Sequence, residues 1–355
     1  MMKNFATLLT AWQKRSGRKD LPWQKTTDPY KRWVSEIMLQ QTQVGTVIPF
    51  YLKFIEDFPS VESLARASEE EVLKHWSGLG YYRRAVNLHA GARKIAESGG
   101  EFPQSVEALM QIPGIGRSTA GAIVSSCWDR PAPILDGNAR RVFSRCFGVR
   151  RGASQAAFEN ELWAIARREL PQSGCRAYTQ ALMDLGAGVC TQKSPRCADC
   201  PLRVGCAAFA SGSPESFPGR KAAGAGRGRE VRQEAFLMIR GPQGLWLQKR
   251  TEKAVWRGLW CFPCVQGGGE SRAVREGLRA LEAVDADSLR FYRKVQHDFT
   301  HYRLEMFVWS VQSAGRSPDL HGRGRWFSRA EAAEGALPAP VKKLALEFLS
   351  GSAQP

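Results

Sequence analysis

Apolar residues recur at helical spacing through the first 210 residues of the chain. One such stretch begins with Asp28, a favourable N-cap, and Pro29, a favourable first-turn residue. Its periodic positions are Tyr30, Trp33, Val34, Ile37, Met38 and Gln41. The same period predicts helices over Val44–Ile55, Glu69–Trp76, Arg83–Ala96, Val106–Met110, Ser118–Ser126, Ala139–Phe147, Phe158–Leu170 and Tyr178–Leu185. The first part of the chain is therefore predicted to be all-α.

The pattern changes after residue 210. Residues 211–232 are rich in Ser, Gly, Pro, Ala and Arg, a composition that is typical of a linker. Short β-type runs follow, and a helix ends the pattern. These segments are Ala235–Arg240, Gly244–Lys249, Arg290–Val295, Tyr302–Val311 and the helix Ala339–Leu349. The chain is thus predicted to contain a helical domain (1–210), a linker (211–232) and an α+β domain (233–350).

Charge narrows the class of partner. The 51 Lys and Arg residues exceed the 34 Asp and Glu residues, which gives a net charge of +17 shared between both halves. Such an excess suits a polyanion, either nucleic acid or an anionic membrane surface. No stretch approaches the roughly 18 apolar residues that a membrane span needs. The segment Phe5–Trp12 is too short for a signal peptide. A cytoplasmic protein without a membrane partner is expected.

Four of the nine cysteines lie close together. Cys190, Cys197, Cys200 and Cys206 form the pattern C-x6-C-x2-C-x5-C. Buried structural thiols are the simpler interpretation of any single cysteine, but four at this spacing indicate a metal site. Structural zinc sites with four thiolates usually use two short C-x2-4-C pairs, and only one such pair occurs in this segment. The spacing therefore favours a [4Fe-4S] cluster over zinc.

A glycine-rich turn joins two predicted helices in LMQIPGIGRSTAGAI, residues 109–123. Gly114 and Gly116 allow a positive φ and close approach, so the amides that begin the second helix can face an anion. A tight turn is the simpler interpretation of two glycines alone. The surrounding positive charge favours a helix-hairpin-helix that grips a DNA phosphate. Gly114, Gly116, Arg117 and Ser118 are its predicted DNA contacts.

Two acidic residues have unusual neighbours. Glu36 lies three residues after Trp33 and four before Gln40, so it shares a helix face with an aromatic ring and an amide. Asp136, two residues before Asn138, is expected to cap a helix and to stay ionised. The alternative for Glu36 is a solvent-exposed surface charge, and the alternative for Asp136 is a helix cap without a catalytic role. Glycosidic-bond chemistry uses two such carboxyls, one protonated for the leaving group and one charged beside an oxocarbenium-like sugar.

Aromatic residues stand next to cations in GLGYYRRA, residues 78–85. Tyr81 and Tyr82 precede Arg83 and Arg84. Core packing is one interpretation of the two rings. The other is a wedge or stacking platform for an unpaired base.

These segments occur together, in the same order, in one known family. The chain contains LPWQ, DPYKRWVSEIMLQQTQV, GLGYYRRA, IPGIGRSTAGAI, LDGNARRV, MDLGAGVC and the four cysteines. Over residues 4–208 it resembles the adenine DNA glycosylases of the MutY type, helix-hairpin-helix enzymes with a [4Fe-4S] cluster. The resemblance implies a monomeric base-excision enzyme that acts on double-stranded DNA in which adenine is mispaired with 8-oxoguanine.

The resemblance also implies roles for individual residues. Glu36 matches the acid that protonates the departing adenine, and Asp136 matches the carboxylate that stabilises or captures the sugar cation. Asn138 would orient that carboxylate. Gln41 and Tyr81 match residues inserted into the duplex, which would offset the cost of extruding the adenine.

One position separates the chain from the related bifunctional glycosylases of the endonuclease III type. Those enzymes carry a nucleophilic lysine after the hairpin, where this chain has Ser118. No Schiff base can form at a serine, so a monofunctional enzyme is expected.

The C-terminal part resembles the Nudix-like domain of the same family through QKRTEKAVWRGLWCFP and HDFTHYRLE. The stretch VQGGGESRAVREGLRALEA lacks the paired glutamates that hold Mg²⁺ in Nudix hydrolases, so recognition of the lesion is the expected role. The predicted lesion-reading residues are Phe299, Thr300 and His301, where the family usually has Ser in place of Thr300. The expected fold class is thus an all-helical helix-hairpin-helix domain, a linker and an α+β Nudix-like domain.

Two other functions compete with this interpretation. A thymine or oxidised-pyrimidine glycosylase could use the same scaffold, although the C-terminal domain argues against it. A DNA-binding or redox protein without catalysis is the other alternative. Such a protein has no need of both Glu36 and Asp136.

Overall fold

The computed structural model describes residues 4–152, 154–219, 230–250, 255–265, 268–279, 283–299, 301–315, 318 and 323–351. The chain divides into two compact units. The helical unit contains residues 1–66 and 87–224, and the sheet unit contains residues 67–86 and 225–355.

The first 210 residues are helical, as the periodicity predicts. Every predicted helix is present within a few residues of its expected bounds, and α1, α4 and α12 are additional. The helices are α1 (Phe5–Ser16), α2 (Pro29–Leu39), α3 (Val44–Asp57), α4 (Val61–Arg66), α5 (Glu69–Trp76), α6 (Arg83–Glu97), α7 (Val106–Leu109), α8 (Arg117–Trp128), α9 (Gly137–Phe147), α10 (Gln155–Arg168), α11 (Cys175–Gly188) and α12 (Ala207–Ala210). Short 3-10 helices cover Pro22–Lys25, Cys197–Asp199, Arg203–Gly205 and Pro214–Ser216. Within the described ranges, no helix has the length and apolar character required to cross a bilayer.

The core of the helical unit forms around α1, α9 and α11. Phe5 on α1 lies 5.8 Å from Phe143 and 6.3 Å from Tyr178, measured between ring centroids. All three rings are almost completely buried. Because burial of a large apolar side chain contributes about 1.5–3 kcal/mol, this contact fixes α11 against α9. Asn138, Arg141 and Arg145 lie on α9, and Gly186 lies on α11.

Helix α2 is shorter than the periodicity predicts. It ends at Leu39, whereas the apolar pattern extends to Gln41. Gln41 has a φ of 57°, a left-handed conformation that no α-helix continues through. The helix prediction for Gln40 and Gln41 is therefore wrong, because a turn begins where the pattern still fits a helix.

The sheet unit contains the predicted strands and several shorter elements that the sequence pattern does not indicate. Its elements are β1 (Glu230–Gly241), β2 (Gly244–Lys249), β3 (Trp260–Cys261), β4 (Cys264–Val265), α13 (Ser271–Arg279), β5 (Val284–Asp298), β6 (Tyr302–Ser313), β7 (Gly324–Phe327), α14 (Arg329–Glu334) and α15 (Ala339–Leu349).

The strands form one mixed sheet in the order β3-β2-β1-β6-β5, with β4 paired to β1 and β7 paired to β2. Strand β1 runs parallel to β6, from Glu230 opposite Tyr302 to Arg240 opposite Gln312. The other pairings are antiparallel. The run Ala235–Ile239 is buried on both faces of β1, as expected for a central strand.

Residues 67–86 pack with the sheet unit, although the sequence analysis assigns them to the helical domain. Glu70 on α5 accepts hydrogen bonds from Lys249 Nζ at 2.6 Å and from Trp260 Nε1 at 2.7 Å. Ser77 Oγ donates to the Leu337 carbonyl at 2.9 Å. The sheet unit therefore includes helix α5, which precedes the strands of that unit by a long stretch of sequence.

The two ends of the predicted linker are structured. Phe217 is buried, and the Arg150 guanidinium carbon lies 3.9 Å from its ring centroid. The Arg151 amide donates to the Pro218 carbonyl at 2.8 Å. Strand β1 begins at Glu230, inside the predicted linker. Residues 220–229 of that linker lie outside the described residues.

Candidate active site and metal centre

Helix α2 places Glu36 in a largely buried environment. The Asp28 side chain caps the helix by accepting the Tyr30 amide at 2.9 Å. Trp33 and Ile37, the neighbours of Glu36 on the helix, are buried. Burial raises the pKa of Glu36 to about 7, the Arg32 guanidinium lowers it, and the Asp136 carboxylate raises it. Glu36 is therefore an acid that holds its proton near neutral pH.

Asp136 begins α9 as its N-cap. Its Oδ1 accepts the Ala139 amide at 2.8 Å. The preceding residue, Leu135, donates its amide to Ser118 Oγ at 3.0 Å, so the first turn of α8 holds the segment that leads into Asp136. The expected cap is confirmed. The two acids predicted from the sequence are close enough for the Asp136 charge to act on Glu36.

Asn138 is held by a neighbour on its own helix. Arg141 Nη2 donates to Asn138 Oδ1 at 2.8 Å and to the Gly186 carbonyl at 2.5 Å. Arg141 Nε donates to the Cys190 carbonyl at 2.6 Å. A Cβ at Gly186 would lie 2.5 Å from the Asn138 Cβ, so only glycine lets α11 approach this closely. One arginine thus joins the start of α9, helix α11 and the cysteine segment.

The four predicted metal ligands line one cavity of the helical unit. Cys190, Cys197, Cys200 and Cys206 form its wall together with Arg145 and apolar side chains. Among the described residues, no three His, Cys, Asp or Glu side chains converge as the ligands of a single ion do.

Arg145 supports this cysteine segment. It is almost completely buried, and its Nη1 lies 3.4 Å from Cys190 Sγ. The guanidinium also donates to the Thr191 carbonyl at 2.6 Å and to the Gln192 carbonyl at 3.0 Å. Donors close to a ligating sulfur orient it and stabilise its charge.

Hydrogen bonding also acts on one of the cysteine thiols. A hydrogen bond from the Cys146 thiol lowers the pKa of Cys206 to about 6. Cys206 thus favours the thiolate form that ligates metals.

The hairpin between α7 and α8 exposes its backbone. Gly114 has a φ of +82°, and a Cβ there would lie 2.9 Å from the Asn87 Cβ. Gly116 is the exposed N-cap of α8. The exposed Arg117 has its guanidinium carbon 4.1 Å from the Trp163 ring centroid. The first amides of α8 lack acceptors within their own helix, as in any helix.

Gln41 and Tyr81, the predicted duplex-inserting residues, share an uncommon conformation. Gln41, in the helical unit, is exposed and has a φ of 57°. Tyr81, in the sheet unit, is 48% exposed and has a φ of 50°. Non-glycine residues held at positive φ are strained, and such strain clusters at functional sites.

A second cavity of the helical unit, of about 420 Å³, was missed by the sequence analysis. Its lining includes Arg18, Gln24, Arg32 and Gln180. Among the described residues, the buried Gln24 Nε2 and Arg32 Nε have no hydrogen-bond partner. Arg32 lies one helical turn before Glu36 and connects the cavity to that acid.

Phe299 and His301, two of the predicted lesion-reading residues, lie between β5 and β6. The Phe299 ring is 4.7 Å from His297 and 4.9 Å from Tyr302, measured between centroids. The Phe299 amide donates to the Tyr302 carbonyl at 2.9 Å. His301 is exposed. Thr300 lies outside the described residues.

Family models match both parts of the chain. The model of the HhH-GPD superfamily of base excision DNA repair proteins matches residues 34–168, and a NUDIX domain model matches residues 234–347. Among solved structures, a thermostable thymine-DNA glycosylase is similar, with a TM-score of 0.53 and 29% identity over 59% of this chain and 97% of that one. The predicted fold class, a helical domain followed by a Nudix-like domain with a mixed sheet, is confirmed.

Curated relatives extend over nearly the whole chain. The chain is 33% identical to an adenine DNA glycosylase of Buchnera aphidicola subsp. Schizaphis graminum, over 96% of this chain and 97% of that protein. It is 32% identical to the Homo sapiens adenine DNA glycosylase, over 96% of this chain and 73% of that protein. Together with the family models, these relatives show that the chain belongs to the adenine DNA glycosylases, adenine-specific base-excision enzymes of the HhH-GPD superfamily.

Proposed function

We propose that this glycosylase hydrolyses the N-glycosidic bond of adenine mispaired with 8-oxoguanine, or with guanine, in duplex DNA. The observation that carries the chemistry is the contrast between two nearby carboxyls. Glu36 keeps its proton near pH 7 because it is buried. Asp136 accepts an amide at the start of α9. One acid and one base in a shared site match the needs of glycosidic-bond cleavage.

In this proposal Glu36 donates its proton to the adenine ring as the bond between the base and the sugar breaks. The bonding electron pair leaves with the base, and protonation makes that base a better leaving group. The sugar becomes an oxocarbenium-like cation. Asp136 stabilises this cation or captures it covalently, and water completes the hydrolysis.

Asn138 is proposed to orient Asp136. Its Oδ1 is bound by Arg141 Nη2 at 2.8 Å, so its amide NH₂ is the group left to direct the carboxylate. Arg141 acts through Asn138 and does not touch the substrate.

The second cavity is proposed to receive the flipped adenine. Its volume of about 420 Å³ is ample for a purine, and Gln24, Arg32 and Gln180 supply polar groups to its edge. Base flipping into such a cavity is how glycosylases reach the glycosidic bond.

HhH-GPD glycosylases are known for an iron–sulfur cluster, and Cys190, Cys197, Cys200 and Cys206 are the residues proposed to hold a [4Fe-4S] cluster. Four thiols around one cavity, with Arg145 beside Cys190 Sγ, fit a cluster better than a single zinc ion. When bound, the cluster would crosslink the cysteine segment that receives the hydrogen bonds of Arg141 and Arg145.

DNA contacts are proposed for both units. Gly114, Gly116, Arg117 and Ser118 would meet a phosphate at the start of α8, where backbone amides and the helix dipole favour an anion. Because Ser118 Oγ accepts the Leu135 amide, we assign the phosphate contact to its backbone N–H.

The exposed Gln41 and Tyr81 would insert into the duplex and offset the cost of base flipping.

The absence of a lysine at position 118 supports a monofunctional enzyme. A Schiff base needs an amine at the sugar, and position 118 offers only a hydroxyl that is engaged with Leu135. Strand cleavage is therefore not part of the proposed activity.

The sheet unit is proposed to read the lesion through Phe299, Thr300 and His301. Adenine itself is undamaged, so specificity must come partly from the opposite strand. 8-Oxoguanine differs from guanine by an N7 hydrogen and a C8 oxygen, groups that a hydroxyl or an imidazole can recognise. The exposure of His301, next to Tyr302, whose ring stacks on that of Phe299, supports this role.

We expect Glu36→Gln to bind a duplex with adenine opposite 8-oxoguanine normally but to lose single-turnover excision by about 10²- to 10⁴-fold, because an amide cannot donate the required proton. Glu161→Gln, an exposed position of the same unit, is the matched control and should behave as wild type. A wild-type excision rate for Glu36→Gln would remove Glu36 from the mechanism.

The pKa of Glu36, about 7, sets a pH dependence. The protonated form is the active one, so single-turnover excision should be constant below pH 7 and fall about tenfold per pH unit above it. The residual activity of Glu36→Gln should lack this decline. A wild-type rate that rises steadily from pH 6 to pH 9 would contradict the assignment.

Protein purified without oxygen should contain about four irons per chain and absorb broadly in the visible range. Cys197→Ala should lower the iron content, whereas Cys261→Ala, a buried cysteine of the sheet unit, should retain it. Stoichiometric zinc without iron would show that the cysteines hold a different metal.

Thr300→Ala combined with His301→Ala should reduce discrimination between 8-oxoguanine and guanine opposite adenine by about 1–3 kcal/mol, the value of one base contact. The measurement is single-turnover excision from duplexes with adenine opposite 8-oxoguanine, guanine, cytosine or thymine. His75→Ala provides a control in the same unit. Unchanged discrimination would indicate that the helical unit reads the lesion alone.

A further inference from the structure

The carboxylate of Asp184 lies behind the second cavity, in contact with two of its lining residues. Its side chain is 2% exposed. It accepts the Arg18 amide at 3.0 Å, Arg18 Nε at 2.8 Å and Arg18 Nη2 at 2.8 Å. Gln180 Nε2 donates to the same Oδ1 at 2.9 Å. A single buried carboxylate therefore connects Arg18 after α1 with Gln180 on α11.

These contacts determine which end of the Gln180 amide faces the cavity. Arg18 donates to both oxygens of Asp184, so the carboxylate can act only as an acceptor towards Gln180. The NH₂ end of Gln180 must point at Asp184. Its Oε1, a hydrogen-bond acceptor, is the end that is left for a ligand.

An acceptor at this position distinguishes between purines. Adenine carries an amino group at C6, which donates hydrogen bonds. Hypoxanthine, of the same size, carries an oxygen at C6 and would face Gln180 Oε1 with a second acceptor. Two acceptors that face each other repel and form no hydrogen bond, so this position disfavours such an analogue.

We propose that Asp184 is a positioning residue that fixes Gln180 as an acceptor for the amino group of adenine and thereby excludes 6-oxopurines. This inference rests on the proposed assignment of the second cavity to adenine. Asp184 does not touch the base and acts through Gln180. Its contacts to Arg18 also hold the end of α1 against α11, so a test must separate base selectivity from stability.

The test is single-turnover excision of adenine and of hypoxanthine, each opposite 8-oxoguanine, by the full-length protein. Asp184→Ala removes both acceptor oxygens, so the NH₂ end of Gln180 loses its partner and Gln180 is free to turn. The ratio of the adenine rate to the hypoxanthine rate should fall at least about tenfold. Asp57→Ala removes the same side chain from α3 and should leave the ratio unchanged.

A double-mutant cycle with Gln180→Leu identifies the route of the effect. Gln180→Leu should lower the ratio, and Asp184→Ala should change it no further in that background. If Asp184→Ala instead slows both bases equally, Asp184 is only structural and the inference fails. A wild-type ratio in Gln180→Leu would overturn the cavity assignment itself, while excision of adenine by the wild type would still stand.

Thermal unfolding of each variant shows whether a changed ratio reflects a folded protein. If Asp184→Ala does not fold, Asp184→Ser replaces it, because its hydroxyl and the water it admits can accept from the donors of Arg18. The ratio should fall in Asp184→Ser as well. A ratio equal to that of the wild type would overturn the inference.

Discussion

The hydrogen bonds from Arg141 and Arg145 to the cysteine segment are the contacts on which the arrangement of the site depends. Both arginines project from α9, the helix that Asp136 caps, and they donate to backbone carbonyls from Gly186 to Gln192. A buried guanidinium that lost these acceptors would cost several kcal/mol. Helix α9 and the cysteine segment must therefore fold against each other. The position of Asp136, the cap of α9, then depends on a segment that is about 50 residues further along the chain.

The two carboxyls of the site acquire opposite properties from ordinary features of helices. Glu36 lies in the middle of α2, where the amides are already bonded to carbonyls and the surroundings are apolar, so its charged form is disfavoured. Asp136 lies at the start of α9, where unpaired amides offer hydrogen bonds to a charged group. This difference in surroundings follows from position within a helix.

Local signals explain what the sequence predicts well. The period of apolar residues identifies the helices, the spacing of the cysteines identifies their shared cavity, and Asp136 is recognisable as a cap. The cavity lined by Arg18 and Gln180 escapes such reasoning, because the ion pair between Arg18 and Asp184 joins residues 166 positions apart. Gln41 also escapes it, since an apolar pattern does not reveal where the backbone turns to a positive φ. The assignment of residues 67–86 to the sheet unit likewise depends on distant contacts.

The membership of residues 67–86 in the sheet unit has a consequence for synthesis on the ribosome. The partners of Glu70, which are Lys249 and Trp260, follow it by 179 and 190 residues. Contacts between residues so far apart form late, because the chain between them must first be made and closed into a loop. Helix α5 therefore leaves the ribosome well before its partners exist. The segment that carries Tyr81 completes its packing only after the last strands have been translated. A chain truncated before those strands would therefore also lack the contacts that pack residues 67–86.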